Sequence, residues 1–332
     1  LTELLPALLE TLAATGNADE AMARFDNFLS RLPAGVQLFS LLRQHERLRT
    51  LLVALLASAP RMADAVIHRA HVMDSLIDPA FADDVRRRAN LVAKVGGFLD
   101  EARSYEETID RARIIGQEQK FLIAAGLLSG TVTPTRAGEQ FTTLANTLVR
   151  HLFAAVRREF DRRHGVVPGA TVGLLAFGKM ASREMTATSD LDFILLYDVE
   201  GEAEESDGDK PLAASHYFAR LTQRLVAAVT APTSEGVLYE ADMRLRPSGN
   251  AGPLATSLKG FLGYHEREAW TWEHLALSRA RVVDADAGLA PRVDAAIEQV
   301  LSRPRDAGKT IADVLDMRER LARDRKPGIH ST

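Results

Sequence analysis

Near Gly165-Val166-Val167-Pro168-Gly169 the chain changes its period, and that change limits what it can fold into. Before this point apolar residues recur three and four apart, as on an amphipathic helix. After it they come in short runs closed by glycine, as in buried strands. Such a chain must set a helical region beside one that contains a sheet. The expected class is therefore α+β: a helical bundle over 1–163, a block with a small mixed β-sheet over 164–285, and C-terminal helices over 286–332. At 332 residues it is long enough for two cores.

The helical half carries start signals and little chemistry. Asn17 with Glu20, and Ser104 with Glu107, have capping-box spacing. Thr133 before Pro134 reads as a cap followed by a first-turn proline. Phe141, Leu144, Leu148, Leu152 and Ala155 then share one face of a long helix ending near His164-Gly165. The leucine-dense stretch 41–56 should be core. His68 and His71, three apart, lack the acidic or sulfur ligands that would complete a tetrahedral metal set. Arg86-Arg87-Arg88 reads as a solvated helix face.

In the second half, 171–177 and 191–197 read as strands. An acidic loop over 199–210 has no apolar anchors and reads as a mobile surface excursion. Residues 212–229 form an amphipathic pattern with Phe218, Leu221, Leu225 and Ala228 inward. Over 237–247 the alternation predicts a strand with Val237, Tyr239, Ala241, Met243 and Leu245 on one face, and Glu240, Asp242, Arg244 and Arg246 on the other. The Trp270-Thr271-Trp272-Glu273-His274 stretch is helical, its tryptophans expected to pack, and 288–302 and 309–323 are two more helices. Neither GxGxxG nor GxxxxGK[ST] occurs.

The chemistry concentrates between two of the strands. Gly178-Lys179 closes the first, and Asp190 and Asp192 head the second. Aspartate is depleted in strands, and two such carboxylates would lie about 6 to 7 Å apart on one face. Their repulsion reaches a few kcal/mol, roughly, when partly desolvated. One reading makes Asp190 a cap and leaves Asp192 solvated. The other sets a cation between them, and the glycine turn together with Asp242 favours it. Two ions about 3.5 to 4 Å apart are the natural occupants of three such carboxylates, and all-oxygen ligands favour magnesium or manganese. Gly178 permits a tight turn whose backbone N–H groups approach an anion. Lys179 and Ser189 are either phosphate contacts or ordinary surface. Arg244 and Arg246 suit charge neutralisation or a phosphate clamp.

Composition removes other classes. With no cysteine there is no disulfide, thiolate zinc site or cysteine nucleophile, which fits a reducing cytosol. A net charge of -4 argues against a large nucleic-acid footprint, and no apolar run approaches the roughly 18 to 20 residues that span a bilayer. The chain opens Leu1-Thr2-Glu3 and closes on Lys326-Pro327-Gly328-Ile329-His330-Ser331-Thr332 straight after a helical pattern, so it reads as a fragment of something longer.

Gly178-Lys179, Glu184 and Thr188-Ser189-Asp190-Leu191-Asp192 together resemble the signature of the DNA polymerase β-type nucleotidyltransferase superfamily. More narrowly, the stretch from Gly236 through Asp242-Met243-Arg244-Leu245-Arg246-Pro247-Ser248-Gly249, and Trp270-Thr271-Trp272-Glu273-His274 through Arg279-Ala280-Arg281, resembles the bifunctional glutamine synthetase adenylyltransferase/adenylyl-removing family, in its C-terminal, adenylylating copy. The resemblance implies AMP transfer from ATP to a tyrosine hydroxyl of glutamine synthetase with release of pyrophosphate. It implies Mg2+ or Mn2+ at Asp190, Asp192 and Asp242, which become the catalytic residues, and Gly178, Lys179, Ser189, Arg244 and Arg246 toward the nucleotide. A PII signal protein, glutamine as effector and a bacterial cytoplasm are implied as well; neither nucleic acid nor membrane is expected as a partner. Where the family commonly has Gly-Lys-Leu-Gly, this chain has Gly178-Lys179-Met180-Ala181. The alternatives are the adenylyl-removing copy or a uridylyltransferase relative and, in another class, a catalytically weak regulatory fragment that binds a signal protein.

Overall fold

A computed structural model describes residues 5–13, 18–30, 42, 43, 46, 49, 50, 52, 53, 87–201 and 203–324. Asn17, His68, His71 and Arg86, most of 41–56, and the 325–332 tail lie outside the described residues. The chain divides into two compact units. One takes in the described part of Leu1–Ala155 with Arg183–Ser189 and Ala228–Glu240; the other takes in Val156–Ser182, Asp190–Ala227 and the described part of Ala241–Thr332.

Helices bounded within the described residues of the first stretch are α1 (Leu5–Ala13), α2 (Ala18–Ser30), α3 (Arg88–Asp100), α4 (Tyr105–Leu128) and α5 (Pro134–His164). α4 starts as its capping signal predicts: Ser104 Oγ accepts from Glu107 N at 3.1 Å. The Glu107 carboxylate reaches back one residue further than a strict box, to Arg103 N at 2.8 Å. Thr133 Oγ1 caps α5, accepting from Arg136 N, and the five apolar residues predicted for one face of α5 are all buried.

Three α4 side chains grip the backbone of the segment 228–239. Arg113, fully buried, donates to the carbonyls of Gly236 and Ala228, each at 3.0 Å, and to that of Ala231. Gln117 donates to Glu235 O at 2.8 Å, and Lys120 to Leu238 O at 2.6 Å, with its ammonium 3.4 Å from the Tyr239 ring centroid. The spacing of four and three puts them on one helix face. Burial pushes the Lys120 ammonium down to about 7. Gly116 lets the segment come close, because a Cβ there would meet Leu238 Cδ1 at 2.6 Å. This overturns the strand expected over 237–247. The carbonyl of Leu238 is taken by Lys120 instead of by a neighbouring strand, Leu238 and Tyr239 are buried consecutively, and Val237 is exposed. Only Ala241–Asp242 pair as a strand, and a turn follows, with Arg246 N bonded to Met243 O.

The second unit holds the sheet: β1 (Ala170–Ala176), β2 (Leu191–Val199), β3 (Ala241–Asp242), β4 (Ala255–Ser257) and β5 (Arg281–Ala285). Its order is β3-β2-β1-β5, with β4 also on β2. β1 runs antiparallel to β2 and β5, while β3 and β4 run parallel to β2. The mixed sheet gives the α+β class that was expected. Leu174 to Phe177 and Phe193 to Leu196 are buried without a break, so both faces are covered and the strands read as continuous apolar runs. Leu175, Phe177, Ile194 and Leu196 pack with Phe261, Leu277, Leu289, Val293 and Val300. The last five come from α8 (Leu258–Arg267), α9 (Thr271–Leu277) and α10 (Leu289–Leu301). The remaining helices are α6 (Gly178–Ser182), α7 (Ala214–Thr230) and α11 (Ala307–Asp324).

Two further expectations are corrected. The acidic loop is pinned to the end of α5: Asp207 Oδ1 accepts from Val166 N at 2.8 Å, Gly208 N donates to His164 O, and Ser206 is buried. Trp270 and Trp272 do not pack inward; Trp270 is 70% exposed. The buried residue of that motif is Glu273, which accepts from Trp270 N at 2.8 Å and from the Tyr264 hydroxyl.

Candidate active site

β1 delivers the chain into α6, and β2 begins beside it, with Phe177 N donating to Asp192 O at 2.8 Å. Gly178 sits at φ +52, and a Cβ there would stand 2.4 Å from Asp192 Oδ2. Only glycine leaves that carboxylate its place. The turn is itself a short helix, α6, in which Met180 and Ala181 are buried.

The third aspartate arrives through sheet pairing. In the parallel ladder of β2 and β3, Asp192 is the register partner of Asp242 and Leu191 of Ala241. Neighbouring strands lie about 4.8 Å apart, so two acids fifty residues apart in the chain become neighbours. Asp190, exposed, immediately precedes β2. The electrostatics record the crowding. The Asp192 carboxyl is pushed up to about 6, first by burial and then by the charges of Asp242 and Asp190, with Arg244 and Lys179 opposing. Asp242 is held below the usual carboxylate range by hydrogen bonds from Arg244.

The other expected site residues divide. Lys179 is exposed at the start of α6, its charge acting on Asp192. Arg244 is paired with Asp242. Arg246 is buried, its guanidinium donating to Met243 O at 2.8 Å and to Gly252 O, where it holds its own loop. Ser189 belongs with the first unit, where its hydroxyl bonds the backbone N–H and the side chain of Thr186.

Arg281 closes the family-like stretch Arg279-Ala280-Arg281, where the sequence assigns it no role. It stands opposite Ala176 in the β1–β5 register, and it donates to Met180 O at 3.0 Å and Ala181 O at 3.3 Å. Carbonyls at the end of a helix have no partner within it, so Arg281 ties down the turn that carries Gly178 and Lys179. The stretch around Arg281 is recognisable as a motif, but nothing local ties it to carbonyls a hundred residues earlier.

The residues fit a divalent cation. Two carboxylates in register, one of them pushed toward protonation by burial and then by its acidic neighbours, form an all-oxygen set whose repulsion a cation relieves. As the side chains stand, no group of three or more His, Cys, Asp or Glu is gathered for a metal ion among the described residues, and the Asp242 carboxylate is turned to Arg244. Among those residues, too, no helix is long and apolar enough to cross a membrane.

A family model described as glutamate-ammonia ligase adenylyltransferase matches residues 48–296. The chain is 52% identical over 325 residues to the bifunctional glutamine synthetase adenylyltransferase/adenylyl-removing enzyme of Mesorhizobium japonicum, which covers 98% of this chain and 33% of that protein. It is 53% identical over 327 residues to the enzyme of the same name from Brucella suis biovar 1, and 50% identical to that from Agrobacterium fabrum, with the same coverage. The chain thus spans about a third of the length of these relatives.

Proposed function

Because this chain belongs to the glutamate-ammonia ligase adenylyltransferase family, we propose that it transfers AMP from ATP to a tyrosine hydroxyl of glutamine synthetase, as the adenylylating half of a bifunctional enzyme. The phenolic oxygen forms a bond to the α-phosphorus, the bond from that phosphorus to the bridging oxygen breaks, and pyrophosphate leaves. One of the three aspartates accepts the phenolic proton. Asp190, Asp192 and Asp242 would hold Mg2+ or Mn2+, whose charge, when bound, supports the phosphate oxygens during transfer. Gly178 and Lys179 face the phosphates, and Arg281 keeps their turn in place. A PII signal protein and glutamine would regulate the reaction in a bacterial cytoplasm.

The observation that carries this reading is the parallel register of Asp192 with Asp242, which makes one cluster from two distant parts of the chain. The test is to incubate the chain with glutamine synthetase, Mg2+ and ATP labelled in the α-phosphate, and separately with labelled UTP. Label on glutamine synthetase from ATP alone is expected, and Asp192→Asn should remove it. Transfer from UTP, or none from either nucleotide, would sink the proposal.

A further inference from the structure

Asp242 has no acceptor position to spare. Its Oδ1 accepts from the backbone N–H of Arg244 at 2.9 Å and from Nε of the same residue at 3.0 Å. Its Oδ2 accepts from Nε at 2.9 Å and from Nη2. A carboxylate offers about four such positions, and a single arginine fills them.

The arginine itself is held by little else. Its side chain is 75% exposed, and its hydrogen bonds among the described residues all go to Asp242. Its charge also acts on Asp190 and Asp192. One monovalent cation is therefore shared by three carboxylates.

We infer that Arg244 is the resident counter-ion of the aspartate cluster, and that a divalent cation reaches Asp242 only by exchanging with the Arg244 guanidinium. The inference rests on the metal-binding reading above and deepens it. Guanidinium and metal compete for the same lone pairs, since a cation ligated at about 2.1 Å leaves no room for a fork on the same two oxygens. The exchange is easy on the protein side, because an exposed ion pair adds little stability and no packing is lost. The backbone N–H of Arg244 stays on Oδ1 when the side chain leaves, so the carboxylate keeps its aim. Without metal, the arginine offsets the repulsion among the acids. With metal, the guanidinium is released at the exposed side of the cluster.

The test is Mn2+ binding to the chain without nucleotide, read from the electron paramagnetic resonance signal of free Mn2+, for the native protein, Arg244→Gln and Arg244→Lys. Circular dichroism checks that each variant is folded. Arg244→Gln should bind Mn2+ about three- to tenfold more tightly than native, with Arg244→Lys in between. Equal or weaker binding by Arg244→Gln, while the native protein binds, overturns the exchange and leaves the metal site standing. No Mn2+ binding by either protein overturns both.

Discussion

Gly178 and Asp192 are in contact in a way no other residue pair could reproduce: the missing Cβ of one leaves room for the carboxylate of the other, 2.4 Å from where a methyl would stand. Gly178→Ala must move Asp192 or unwind α6, and it also puts a side chain at φ +52. The expected cost is about 1–2 kcal/mol in stability and at least roughly a tenfold loss of AMP transfer. Urea denaturation and labelled-ATP transfer measure the two, and full activity in the variant would contradict the placement.

Asp192 should weaken the fold it serves. Its folded pKa, about 6, lies above the ordinary aspartate value of 3.8, so the folded protein holds this proton more tightly than the unfolded chain does. The stabilisation is complete below 3.8 and lost as pH rises toward 6. Asp192→Asn removes the penalty, and the variant should be about 1–3 kcal/mol more stable than native at pH 7. The difference should shrink at pH 4 while AMP transfer is abolished. A variant less stable than native at pH 7 would refute this.

Arg281 is predicted to act through the Gly178 turn. Arg281→Ala leaves the carbonyls of Met180 and Ala181 without their donor, worth about 2–3 kcal/mol in all. KM for ATP should rise while the metal affinity of the aspartates changes little, and Arg281→Lys should restore part of the loss. A fall in Tm with KM unchanged would reduce Arg281 to scaffolding.

His265 is a buried base with no hydrogen-bond partner on either ring nitrogen among the described residues. Burial, and then the neighbouring His274, push it down to about 4 from 6.5. The unfolded chain takes up the proton first as pH falls, so stability decreases between about 6.5 and 4 and is untouched above that window. His265→Phe should flatten the pH dependence there by about 1–3 kcal/mol, as denaturation curves at pH 7 and 5 would reveal. Parallel curves for the two proteins would refute it.

The parts of the fold that were readable in the sequence are those whose environment is uniform along the chain. β1 and β2 are covered on both faces, so their apolar runs are continuous, and α5 announces itself with a cap, a proline and one apolar stripe. The misreadings share a cause. Residues 237–247 look like an alternating strand, yet the chain leading into them, 228–238, is held by α4 side chains more than a hundred residues earlier. The acidic loop lacks apolar anchors because its anchors are hydrogen bonds to the end of α5. At the site, the residue types of the three aspartates are what raise the expectation of a cation. The register that joins Asp192 to Asp242 is a property of strand pairing, and no local pattern encodes it.

The grip of Arg113, Gln117 and Lys120 falls on main-chain carbonyls. Such a grip is blind to which amino acids supply those carbonyls but not to how many there are. Over evolutionary time the exposed positions of 231–237 can drift in identity, while inserting or deleting one residue would shift every later rung against α4. Among homologous chains, then, this segment should vary in composition and hold its length.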